Sequence, residues 1–300
     1  MPNDKLTQYL HLHFIVFIWG FTAVLGALIS IGAIPLVWYR MLIASLLLYL
    51  WVRLKKQQLR FPPRVLLGFF LAGFLIAAHW LCFFGAVKVS NVSVTLAVMS
   101  TGAFFTSLLE PIFFKRKVIG YEVFFGILVI IGLYIIFNVE TEHLLGMVLA
   151  LGASLLGALF TLLNGKYVAT YTASSISFYE LSFGMLCISV YLGISGGFSR
   201  SFFELSASDW GLLLLLASVC TAYAFLASVH VMRWLSPYTV MLTVNLEPVY
   251  GIILALLILG EDENMSDSFY IGAVIIVLTV IANGILKHRL ERKKRRQHLS

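Results

Sequence analysis

The chain has 300 residues, of which 60% are hydrophobic and only 12% charged, with a mean hydropathy of +0.95. A soluble domain carries about 25% charge, so the composition excludes an ordinary soluble enzyme or binding module and points to an integral membrane protein. The formal net charge of +7 follows membrane topology and gives no ground for a nucleic-acid partner.

Apolar runs of about 18 or more residues read as membrane spans. Ten occur, at 11–31, 35–54, 65–87, 92–114, 118–138, 144–165, 174–195, 210–232, 237–260 and 268–286. The first is too long for a signal-peptide core of about 7–15 residues and lacks a small-residue cleavage site, so it is expected to remain as a span. Span 1 carries Trp19-Gly20-Phe21, and span 2 opens on Trp38-Tyr39-Arg40-Met41. Span 3 holds His79-Trp80, and span 4 holds Thr101-Gly102 and Glu110-Pro111. Span 6 contains Leu156-Gly157-Ala158, span 7 contains Phe178-Tyr179-Glu180-Leu181, and span 9 contains Glu247-Pro248. Cys82, Cys187 and Cys220 fall within spans in no Cys-x-x-Cys or Cys/His cluster, so neither a disulfide framework nor a metal site is expected.

Lys and Arg fix the expected orientation. With the amino terminus in the cytoplasm, cytoplasmic segments hold 18 of them and external segments only Lys88 and Arg200. The positive-inside rule then places both termini in the cytoplasm. The basic tail, 287–300, is placed to meet anionic lipid.

The spans divide into two sets of five. Trp38-Tyr39-Arg40-Met41 corresponds to Phe178-Tyr179-Glu180-Leu181, and the Gly126–Gly132 stretch of span 5 corresponds to the stretch from Gly272 in span 10. Because five is odd, the second copy must lie inverted, an arrangement that secondary transporters use with the substrate site where the repeats meet. Two five-span halves, with Trp19-Gly20, Tyr39-Arg40, and Pro248 followed by Leu259-Gly260-Glu261, resemble the EamA-type repeats of the drug/metabolite transporter superfamily. The resemblance implies a ten-helix carrier, with repeats at 10–138 and 144–286, that exports amino acids or other small metabolites across a bacterial inner membrane.

Glu247 is the most informative polar residue. It lies eleven residues from Ser236 and fourteen from Glu261, so roughly 15–20 Å of helix separates it from either end of its span. A carboxylate at that depth costs at least about 2.5–3.5 kcal/mol and reads as functional by default. Thr239, Thr243, Tyr250 and Gly251 form a stripe on its face at helical spacing, and Pro248 leaves the carbonyl of Val244 without its usual N–H. This is a cradle for a substrate ammonium group or a coupling proton. Glu110 is only five residues from Lys115, about 7–8 Å from the membrane face, which argues against equivalence with Glu247. Aligning the glycines of spans 5 and 10 instead sets Thr101-Gly102 opposite Glu247-Pro248. Arg40 is suited either to a substrate carboxylate or to reaching the outer interface. No contact between Arg40 and Glu180 is expected, since they enter from opposite faces. His79 is either a pathway residue or a neutral imidazole bonded to a backbone carbonyl, and Trp19 and Trp80 are either pocket walls or packing.

The expected fold is thus an all-α membrane protein of ten helices in two inverted five-helix repeats. The expected function is secondary transport of a small metabolite, amino acids being the best single class, with Glu247, Thr243, Tyr250, Arg40, His79, Trp80 and Trp19 as candidate substrate-binding residues. The alternatives are a membrane-embedded enzyme, for which no His-Glu-x-x-His or Gly-x-Ser-x-Gly motif is found, and a structural membrane protein. No catalytic residue and no cofactor is expected.

Overall fold

The computed structural model describes residues 2–115, 120–139 and 141–297. Arg116, Lys117 and Glu140 lie outside the described residues, as do 298–300 and the side chains of 291–297 in the basic tail. The fold is all-α. In chain order the helices are α1 (Pro2–Leu28), α2 (Ala33–Leu54), α3 (Pro63–Val89), α4 (Val92–Met99), α5 (Gly102–Phe114), α6 (Gly120–Val139) and α7 (Leu144–Tyr167). They continue as α8 (Ala173–Ser195), the short α9 (Arg200–Phe203), α10 (Ala207–Ala217), α11 (Ala224–Val231), α12 (Pro237–Val244), α13 (Glu247–Ile258) and α14 (Asp267–Gln297). Among the described residues nine helical segments are long and apolar enough to cross a membrane, and the shorter apolar stretch Phe124–Asn138 takes the fifth place. The outer surface is correspondingly apolar: Leu46, Leu50, Ile127 and Leu257 are exposed, as lipid-facing positions should be.

Three crossings are not simple α-helices. Span 4 breaks at Ser100–Thr101 between α4 and α5, and span 9 breaks at Asn245–Leu246 between α12 and α13. In the first break the hydroxyls of Ser100 and Thr101 turn back onto the carbonyls of Ala97 (2.6 Å) and Val98 (2.8 Å), competing with the backbone ladder. In the second, Leu246 N–H reaches only the carbonyl of Thr243, three residues back, and Pro248 has no N–H to continue the ladder. Span 8 is kept whole by a π-helical segment, Ser218–Tyr223, between α10 and α11.

The packing is that of an inverted repeat. Span 1 packs on the second half of span 9, and span 6 packs on both halves of span 4. Span 3 packs on spans 6 and 7, and span 8 packs on spans 1 and 2. Exchanging the halves of the chain maps each pairing onto its counterpart, while spans 2 with 7 and 5 with 10 pair with themselves. An even number of crossings leaves both termini on one face of the bundle. On the opposite face, Ser30 donates from its N–H and its hydroxyl to Asp209 (2.7 Å each), and Lys88 donates to the carbonyl of Ile29. There too the amides of Val92 (3.0 Å) and Ser93 (2.8 Å), at the start of α4, donate to Glu263. On the termini face, Ser175 donates to the carbonyl of Gln58 (2.8 Å) and Arg233 to that of Tyr171 (2.9 Å).

Candidate functional site

One interior cavity of about 100 Å³ lies against both broken helices and the π-helical segment's neighbours. Trp19, Arg40, His79, Trp80 and Glu247 all line it. It therefore gathers side chains from spans 1, 2, 3 and 9, with further walls from spans 4, 6 and 8.

Arg40 is 1% exposed, so its guanidinium does not reach the outer interface. The π-helix explains how it is held inside. The wider turn lets Thr221 Oγ1 donate to the carbonyl of Leu216, five residues back (2.7 Å), and accept from Arg40 Nε (2.5 Å). A π-bulge inside an α-helix commonly marks a functional position for this reason. The same segment turns the carbonyl of Cys220 towards the indole of Trp19, which donates to it at 3.2 Å. The Arg40 guanidinium carbon stands 3.8 Å from the ring centre of Trp80 and 5.3 Å from that of Phe84. A cation over an indole in a desolvated site gains about 2 kcal/mol or more. Arg40 Nη1 remains without a hydrogen-bond partner.

Glu247 starts α13, directly after the break in span 9. It lies close enough to Arg40 for the two charges to attract, yet no ion pair joins them. Beside it, Asn245 is 2% exposed and its Nδ2 has no acceptor. Val244, whose carbonyl would have served the missing N–H of Pro248, also lines the cavity. His79 Nδ1 stands 2.7 Å from the carbonyl of Ala153, which makes it the N–H nitrogen and leaves Nε2 as an acceptor.

Two residues of the expected stripe fall elsewhere. Thr243 and Tyr250 are not among the cavity-lining residues. Thr243 donates back to the carbonyl of Thr239 (3.0 Å), and Tyr250 packs edge-on against Phe17 at 5.6 Å. The stripe assumed one continuous helix from Thr243 to Gly251, and the break at Asn245–Leu246 destroys that register. Glu180 is fully buried but lies off the cavity and does not touch Arg40, while Glu110 is half-buried in α5. Sequence reasoning missed Thr221, Asn245, Ser154 and Thr161. Of these only Asn245 carried a signal, an amide two residues from an intramembrane carboxylate.

The sequence profile of the EamA-like transporter family matches the chain twice, at 8–138 and 144–284. The chain belongs to the EamA-like transporter family. It is 25% identical over 207 residues to an uncharacterized transporter of Clostridium kluyveri, covering 66% of this chain and 65% of that one. The chain thus spans just under two thirds of that relative's length. It is 21% identical over 254 residues to an uncharacterized transporter, YxxF, of Bacillus subtilis (strain 168), covering 82% of this chain and 79% of that one. A solved crystal structure superposes with a TM-score of 0.67 at 15% identity, covering 93% of this chain and 97% of that one, a likeness of fold. This EamA-like chain is accordingly a multi-pass membrane protein of a transporter family. Its two profile matches fall one on each five-helix half, so the cavity lies where the two repeats meet.

Proposed function

We propose that this EamA-like protein is a secondary carrier of small zwitterionic metabolites, with amino acids the favoured class. In this reading it works by alternating access, as an exporter in a bacterial inner membrane with both termini cytoplasmic. One observation carries it: a single cavity is lined by Arg40, Asn245 and Glu247, and within that lining an Arg40 guanidinium nitrogen and the Asn245 amide have no hydrogen-bond partner in the protein. Arg40 takes the substrate carboxylate, because its planar fork matches two oxygens. Glu247 takes the ammonium group. Trp19, Trp80 and Phe83 wall the apolar remainder, and His79 Nε2 offers a further acceptor. At about 30 Å³ per water, the cavity of about 100 Å³ has room for roughly three waters, which suits a small metabolite. No Gly-x-x-x-x-Gly-Lys-Ser/Thr loop occurs in the sequence, so the energy is expected to come from a gradient. The basic tail would rest on anionic lipid.

The test is amino-acid exchange in proteoliposomes. Glu247→Gln and Arg40→Gln should each abolish exchange without loss of folded protein. Unchanged exchange in either variant would refute that residue's role. A thermal-shift screen of amino acids and nucleosides, repeated with Glu247→Ala, reports class and site together.

A further inference from the structure

We propose that Glu180 is a proton-binding site, separate from the cavity, and that it carries the coupling proton of the transport cycle. The inference rests on the transport reading but not on amino-acid cargo or on Glu247.

Glu180 is 0% exposed, and both of its carboxyl oxygens lack a hydrogen-bond partner. It lies seven residues into α8, about 10 Å from the first turn of that helix on the termini face. Its surroundings offer acceptors and hydroxyls but no cation. Ser177, one turn earlier on the same face, is 0% exposed with an unpartnered hydroxyl. Asn164 of α7 lies beside the carboxyl, is also 0% exposed, and has an unpartnered Oδ1.

The ionisable groups of the surrounding helices are otherwise engaged. Tyr167 of α7 lies near enough to sense the carboxyl, with its hydroxyl end directed at Gly68 of α3. Tyr179 of α8 itself donates to the carbonyl of Leu59. From α2, Arg40 is held by Thr221 and Trp80. From α11, His230 lies against Trp234. The stretch of α3 from Val65 to Ala78 contains no ionisable side chain.

An ionised carboxylate at this place would have no counter-charge, and only the neutral amide of Asn164 and the hydroxyl of Ser177 nearby as donors. A buried carboxyl in that condition is neutral and holds a proton. The ligand is a proton and not a metal cation on grounds of space. Neither Glu180 nor Asn164 nor Ser177 lines the cavity. A cation such as Ca²⁺ needs six or more oxygens around an open volume, whereas a proton needs one lone pair.

The packing links this proton to movement. A Cβ on Gly73 of α3 would stand 2.5 Å from the carbonyl oxygen of Glu180 and 3.1 Å from the amide of Gly184, so α3 and α8 meet backbone to backbone here. While they meet, water is excluded and the proton stays. Release requires α8 to part from α3 and α7 on the termini face, and re-closing requires a proton. Ion release is thereby tied to one of the two arrangements of the bundle, which is what coupling means.

Two measurements on the full chain in proteoliposomes test this. The first is infrared absorption of the protonated carboxylic acid at neutral pH. Wild type and Glu247→Gln should share a component that Glu180→Gln lacks; a band unchanged in Glu180→Gln overturns the assignment. Should Glu180→Gln fail to fold, Asn164→Leu replaces it: the component should shift, and an unshifted band overturns the proposal. The second compares uptake of a radiolabelled amino-acid mixture driven by a pH gradient with exchange at equal pH. Glu180→Gln, which imitates the neutral form, should lose the gradient-driven uptake and keep the exchange. Equal gradient-driven uptake in variant and wild type overturns the proposal. If wild type moves no amino acid, the cargo reading fails, and the infrared band still decides the proton site.

Discussion

Replacing Thr221 by Val removes one oxygen at the point where the π-helical segment holds Arg40. The hydroxyl is 0% exposed, accepts from Arg40 Nε at 2.5 Å and donates to the carbonyl of Leu216 at 2.7 Å. Valine nearly matches the shape, so the loss is almost wholly polar. A hydrogen bond to a charged group contributes about 1.5–3 kcal/mol in soluble proteins. Interhelical polar pairs in membranes average about 0.6 kcal/mol and reach about 1.7. The donor here is cationic and its Nη1 is already unpartnered, which favours the upper end, about 1.5–2 kcal/mol. The assay is a double-mutant cycle of Thr221→Val with Arg40→Met, read by unfolding in mixed micelles. A coupling energy of about 1.5 kcal/mol is expected, since Arg40→Met already removes the donor that Thr221 serves. Effects that add within about 0.3–0.5 kcal/mol would mean that Thr221 does not hold Arg40, and the structural account of the π-helix would fall.

Three further outcomes follow from other contacts. A Cβ on Gly20 would stand 2.8 Å from Tyr250 Cβ and 3.3 Å from the amide of Gly251, whereas nothing lies within 4 Å of one on Gly193. Gly20→Ala should therefore destabilise by about 1–3 kcal/mol and Gly193→Ala should not, a contrast that equal melting temperatures would contradict. Glu263→Gln removes the charge that receives the amides of Val92 and Ser93 at the start of α4. Hydrogen exchange at those two amides should quicken by roughly tenfold, equivalent to about 1.4 kcal/mol, and an unchanged rate would show that Glu263 does not latch this face. Arg40→Lys should not restore the exchange lost in Arg40→Gln, because an ammonium group neither forks onto a carboxylate nor stacks flat on Trp80. Full rescue by lysine would leave only a point charge as Arg40's contribution.

Much of this was legible in the sequence because a membrane makes polar residues conspicuous. Ten apolar runs, and five candidates that share one cavity, come from asking which side chains are expensive at depth: Glu247, Arg40, His79, Trp19 and Trp80. The register within a span was less legible. Thr243 and Tyr250 fit a helical stripe that the break at Asn245–Leu246 interrupts, and no proline stands at the break itself to announce it. The corresponding break at Ser100–Thr101 has no proline nearby at all; hydroxyls turned onto the preceding carbonyls accompany it instead. The π-helix is a third case. Ser218–Tyr223 is an unremarkable sequence, and its wide turn is visible only once Arg40 and Trp19 occupy the groups it frees.

The two halves share a scaffold and differ in what they hang on it. The breaks in spans 4 and 9 sit at equivalent places, but one carries Ser100 and Thr101 and the other Asn245 and Glu247. Thr101 is spent on a bond to Ser154 of α7 at 2.9 Å, which anchors the first break to the opposite half. The second break keeps its amide and carboxylate for the cavity. Spans 2 and 7 divide the same way, with Arg40 facing the cavity and Glu180 sealed between helices. A symmetric scaffold supplies two similar packings between which a carrier can alternate. The departures from symmetry decide what it holds: Ser100 of the first break reaches the cavity beside Asn245 and Glu247 of the second, but the arginine and the carboxylate there have counterparts, Glu180 and Thr101, that are committed to packing. Substitutions at Thr101 should therefore disturb the rigidity of span 4, while those at Asn245 or Glu247 should disturb what the cavity accepts.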